Sequence, residues 1–146
     1  MGKVKLAEKK ENDAPLAEGE VKPVAKASSK VRVSNGILYV QATFNNTKVL
    51  FTDSKGNALI SSSSGALGFT GAKKGTPFAA AKVGELVGDK AKLMGVKEAD
   101  VIVKGVGAGR ESAIRAFSSK GIIINAIADM TPIPHNGPRP KKPRRV

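Results

Sequence analysis

Residues 101–129 leave the chain fewer ways to fold than any other stretch. Residues 101–103, Val-Ile-Val, form a short β-branched run suited to a buried strand. Gly105, Gly107 and Gly109 then let the backbone turn sharply, and Ala113, Ile114 and Phe117 follow at the spacing of one helix face. Gly121 ends that helix, and residues 122–129 read as a second buried strand. Strand, helix and strand with a short return make a βαβ unit, so the two strands should lie parallel in one sheet.

The start of this helix breaks a local rule. Arg110 stands in the first turn, where a cation opposes the partial positive charge of the helix N-terminus, and Glu111 offsets only part of that cost. Beside backbone N–H groups freed by the glycines, the arrangement makes sense if an outside anion sits there, and a phosphate is the common one. The motif is neither Gly-x-Gly-x-x-Gly, since Arg110 replaces the third glycine, nor a Walker loop, since no Gly-Lys-Ser/Thr closes it. In isolation it fits a plain strand-to-helix turn with a solvated arginine equally well.

Upstream, a period of two takes over. Residues 37–44, 48–53 and 58–62 read as three strands joined by Asn45-Asn46-Thr47 and by Ser54-Lys55-Gly56-Asn57, an antiparallel meander. Asn35-Gly36 either forms its own tight turn or leads into the first strand. Residues 65–76 form a glycine-rich basic loop carrying Lys73 and Lys74 and ending in Thr76-Pro77, a good N-cap followed by a good first helical residue. The helix runs to about Met94, with Val83, Leu86, Val87, Ala91 and Met94 on one stripe, Lys82, Glu85, Asp89 and Lys92 on the other, and Gly95 as its stop. Gly84 and Gly88 each cost a helix interior about 1 kcal/mol relative to Ala, and their spacing points to close approach to a sheet or another backbone. The expected architecture is therefore α/β: a mixed five-stranded sheet, an antiparallel meander followed by two parallel strands, flanked by two main helices that cover the sheet faces.

Charge supplies the function class. The 146 residues carry 25 Lys and Arg against 12 Asp and Glu, a formal +13 that exceeds what solubility requires and points to a polyanionic partner. Nucleic acid fits better than a membrane surface, because no apolar run approaches the roughly 18 residues of a span. The absence of cysteine removes disulfides and thiolate metal sites, and His135 stands alone, so no metal or other cofactor is expected. Few aromatics and no Trp leave phosphate contact as the dominant mode, with no small-molecule substrate implied. Residues 1–30 read as a disordered extension of nearly balanced charge, residues 31–130 as the folded domain, and residues 131–146 as an extended tail. That tail holds five prolines together with Arg139, Lys141, Lys142, Arg144 and Arg145, and its stiffness lowers the entropy lost on binding.

The segments assembled here, Ala42-Thr-Phe-Asn-Asn-Thr47, Gly68-Phe-Thr-Gly71 with Lys73-Lys74, Thr76-Pro-Phe-Ala-Ala80, Gly109-Arg-Glu-Ser-Ala-Ile-Arg115 and Thr131-Pro-Ile-Pro-His-Asn-Gly137, resemble the family of the eleventh small-subunit ribosomal protein. The resemblance runs from about residue 31 to the end. It implies a ribonuclease-H-like mixed sheet and binding to small-subunit ribosomal RNA on the platform, near the messenger RNA exit path, beside neighbouring small-subunit proteins. A cytoplasmic ribosome is implied, and an organellar one fits the same residues. The family usually has proline where Val106 stands and often has tryptophan where Ser61 stands, so this chain departs from it at both positions.

The residues expected to meet RNA are Lys73, Lys74 and Arg110 at phosphates, Lys104 and Arg115 as supports, the tail from His135 through Arg145, and Asn45, Asn46 and Asn136 at bases or sugars. An enzymatic reading, a metal-dependent nuclease, would need carboxylates clustered at strand ends. Asp53 and Asp129 are the only acids near strand ends and the first strand has none, so no enzyme is expected. An architectural DNA binder lacks a major-groove helix or a dimer signal.

Overall fold

The computed structural model describes residues 32–145, so the disordered extension expected over residues 1–30 lies outside the described residues. Five strands, β1 (Asn35–Ala42), β2 (Thr47–Asp53), β3 (Ala58–Ser63), β4 (Glu98–Lys104) and β5 (Ile123–Asp129), form one sheet in the order β3-β2-β1-β4-β5. β1 pairs antiparallel with β2 and parallel with β4, and β4 pairs parallel with β5, so both the meander and the βαβ unit are present. Asn35 and Gly36 belong to β1 rather than to a separate turn. Two helices, α1 (Pro77–Leu93) and α2 (Arg110–Ser118), complete the fold.

Both helices lie on the same face of the sheet, a correction to the expectation that helices cover its faces. The connections β3 to β4, through α1, and β4 to β5, through α2, step across the sheet in the same direction. Right-handed crossovers that step the same way deposit their helices on the same side. Alternate residues Leu38, Val40, Val49, Phe51, Val101 and Val103 are buried beneath Val83, Val87 and Phe117, while Tyr39, Leu50 and Ile102 on the other face are only half-buried. The Phe51 and Phe117 rings meet with centroids 6.1 Å apart, each buried side chain contributing about 1.5–3 kcal/mol over its exposed state.

Close helix contact explains the two glycines of α1. A Cβ on Gly84 would lie 2.4 Å from the Ala113 carbonyl oxygen, so the close approach is to the backbone of α2, not to the sheet. Thr76 caps α1 through its hydroxyl, which accepts from Ala79 N–H at 3.3 Å.

Three boundaries differ from expectation. β5 is not buried: it is an edge strand, with Ile123 and Ile127 more than half exposed, because α1 packs over β2 and β3 and α2 over β1, so that Ile122, just before the strand, enters the core and Ile124 is only partly buried against it. β1 stops at Ala42 because the Thr43 hydroxyl and N–H both bond the Asn46 carbonyl, closing a turn two residues earlier than the apolar pattern ends. β4 begins at Glu98, since Glu98 and Asp100 occupy outward positions of the pleat.

Candidate RNA-binding surface

Strands β1, β3 and β4 run the same way and deliver their outgoing loops to one end of the sheet, where the three loops pack backbone to backbone. A Cβ on Gly75, at the end of the 3-10 turn Gly71–Gly75, would stand 2.2 Å from the Phe44 carbonyl oxygen. One on Gly107 would stand 2.3 Å from the Thr43 carbonyl oxygen, and Gly107 N–H donates to Ala42 O at 2.9 Å. Only a residue without a side chain permits these approaches. The turn 43–46, the Lys73-Lys74 loop, the glycine loop 105–109 and the N-termini of α1 and α2 therefore form a single surface.

Within it Asn45 and Lys73 are exposed, and Asn46 and Lys74 are half-buried. The Asn46 Oδ1 is buried and takes no hydrogen bond among the described residues, so Asn45 offers the outward contact of this turn. Lys104 is exposed at the end of β4, on the helix-free face. Arg115 is not brought to the same place: it sits in the last turn of α2, exposed, 3.9 Å from Glu111. Pairs this exposed contribute little.

Arg110 departs from the expectation that it faces an outside phosphate. Its guanidinium donates to the Gly105 carbonyl at 2.7 Å and forms an ion pair with Asp129, the last residue of β5. The anion at the helix start belongs to the chain itself. Thr131 completes the cluster, its hydroxyl donating to Asp129 Oδ1 at 2.6 Å and accepting from Gly105 N–H at 3.2 Å. The Thr131 hydroxyl and then Arg110 hold the Asp129 carboxyl at about 2, below the ordinary 3.8. This cluster fixes the point where the tail leaves the domain.

From there residues 132–145 run without helix or strand and exposed, placing His135, Asn136, Arg139, Lys141, Lys142, Arg144 and Arg145 at the surface. Asn136 holds φ at 60°, a left-handed conformation that asparagine tolerates, and its Oδ1 accepts from Arg139 at 2.7 Å.

Sequence reasoning passed over three contributors to this end. Thr43 closes the turn, Phe44 projects from it 78% exposed, and Lys48 stands opposite Gln41, whose other neighbour is Lys104. An aromatic within an otherwise polar turn was the available signal for Phe44.

The two acids near strand ends both hydrogen-bond within the chain. Asp53 accepts from Lys55 N–H, Asn57 N–H and Asn57 Nδ2, which lowers its pKa, the Asn57 side chain most, and Asp129 serves the cluster with Arg110. Among the described residues no three His, Cys, Asp or Glu side chains are grouped to hold a metal ion, and no helix is long and apolar enough to cross a membrane.

A family model described as ribosomal protein S11 matches residues 36–145, the sheet, both helices and the tail together. That family comprises structural constituents of the small ribosomal subunit that bind its RNA and neighbouring proteins, and with the match spanning nearly all of the described residues, the chain belongs to the ribosomal protein S11 family.

Proposed function

We propose that this protein clamps folded small-subunit ribosomal RNA on the platform, near the messenger RNA exit path, and acts there as a structural element without enzymatic activity. One observation carries the reading: the Lys73-Lys74 loop, the Asn45 turn and the root of the basic tail meet at one end of the sheet. Lys73 and Lys74 take phosphates on one side. The tail, stiffened by its prolines, threads between RNA segments with His135, Arg139, Lys141, Lys142, Arg144 and Arg145 along its length. Asn45 and Asn136 reach bases or sugars, with Asn46 orienting the turn from behind. Arg110 positions the tail through Asp129 instead of touching phosphate, and Lys104 and Arg115 add support from the flanks.

Neighbouring platform proteins are its protein partners, on a cytoplasmic ribosome or its organellar counterpart. Crosslinking within purified small subunits, read at nucleotide resolution, tests the reading. Crosslinks from Lys73 and from the tail should converge on adjacent RNA helices. Crosslinks to separate RNA domains, or to proteins alone, would reject the clamp. Competition between ribosomal RNA and duplex DNA should favour the RNA strongly.

A further inference from the structure

The helix-free face of the sheet carries a depression of about 550 Å³ at its basic end. Strand register lays its floor in two rows. Ile102, Tyr39, Leu50 and Ser61 stand side by side across β4, β1, β2 and β3, and the next row toward the turn 43–46 holds Lys104, Gln41 and Lys48. The rows are two residues apart, about 7 Å along a strand, close to the separation of a nucleotide's base from its phosphate. No lining residue is acidic. The acids of this face, Glu98 and Asp100, stand at the opposite end of β4.

We infer that this depression receives an unstacked nucleotide of RNA, its base lying on Tyr39 between Leu50 and Ile102 and its phosphate between Lys48 and Lys104. An aromatic on an open sheet face, backed by cations one row away, is a recurrent way to hold single-stranded bases. The space is open on the β3 side because Ser61, small and exposed, stands in the row beside Leu50. The depression adjoins the turn carrying Asn45, so a strand held at the basic end continues directly over it. The inference rests on the RNA-clamp reading and extends it to a second face.

Tyr39 is the only tyrosine and the chain lacks tryptophan, so its emission reports this site alone. The full chain is titrated with a short single-stranded oligoribonucleotide of mixed sequence and with an abasic oligonucleotide of the same length, each end-labelled so that anisotropy reports total binding. The mixed-sequence strand should quench Tyr39 saturably, and the abasic strand should bind without quenching. Ser61→Phe, a change at an exposed position, should abolish the quench while binding persists, and Tyr39→Ala should weaken only the base-containing strand, about tenfold. Saturated binding with Tyr39 emission unchanged overturns the inference and leaves the clamp intact. Absence of any RNA binding overturns both, and quenching by the other small-subunit proteins but not by RNA overturns it by assigning the face to a protein.

Discussion

The guanidinium of Arg110 meets the carboxylate of Asp129 where the last strand gives way to the basic tail. The two residues are 19 apart in sequence, yet with Gly105 and Thr131 they form one hydrogen-bonded knot. An arginine that opposes its own helix start is thereby matched by an anion from the neighbouring strand, and the tail leaves the domain in a fixed direction.

The knot should be acid-sensitive. The Asp129 carboxyl is depressed to about 2 from 3.8, so its contribution is complete above pH about 4 and is lost as pH falls through 2. Carbon-detected NMR of the Asp129 carboxyl should give a midpoint near 2, and one near 4 would mean that the knot does not form in solution. Arg110→Ala should bring the midpoint back toward the ordinary value, while Thr131→Ala should raise it further still, since the threonine hydroxyl is the larger cause.

The two glycines of α1 should behave differently on mutation to alanine. At Gly84 the new methyl group meets the Ala113 carbonyl, a backbone atom that moves only with its helix, so an overpacking cost outweighs the gain in helix propensity and the net loss should be about 1–2 kcal/mol. At Gly88 the nearest atom is Lys120 Cγ, a side-chain atom that can give by a rotation rather than a helix shift, and Gly88→Ala should cost less than Gly84→Ala, at most about 1 kcal/mol. Chemical denaturation of the full chain decides. Equal losses at the two sites would contradict the packing described.

Salt should weaken RNA binding steeply. With about six to eight phosphates neutralised, log affinity should fall against log salt with a slope of about −4 to −7. Deleting residues 138–146 should remove up to five units of that slope, one for each lysine or arginine lost. A flat response would eliminate the phosphate clamp.

The seating of Gly75 on Phe44 gives a local test of the same surface. Gly75→Ala cannot keep that contact, so the loop bearing Lys73 and Lys74 should lift away and the salt slope should shrink by about 2, as in the double variant Lys73→Ala, Lys74→Ala. The domain itself should remain folded, because no core side chain is involved. An unchanged slope in Gly75→Ala would detach loop position from RNA binding.

The sheet was legible because its signals are local: alternation in the meander, β-branched residues before three glycines, and a threonine-proline helix start. What escaped depended on distance. Residues 122–129 are apolar enough for a buried strand, but nothing in them records that the helix layer stops short. Half-buried Tyr39, Leu50 and Ile102 alternate just as residues covered on both faces would, which hid the bare face. Arg110 was correctly singled out as anomalous, but its anion lay 19 residues away, beyond any local pattern. Lysines on turns were easier to place, since a glycine-bounded loop has few ways to bury a charge.

At the end of the sheet opposite the clamp, Asp53 gathers the N–H groups of Lys55 and Asn57 into a self-contained turn, with nothing near where a Cβ on Gly56 would point. The Lys55 side chain takes no part in that turn, and the chain has no cysteine. Lys55→Cys would therefore create a single thiol for attaching a dye or spin label, a vantage point from which docking could be watched without obstructing it.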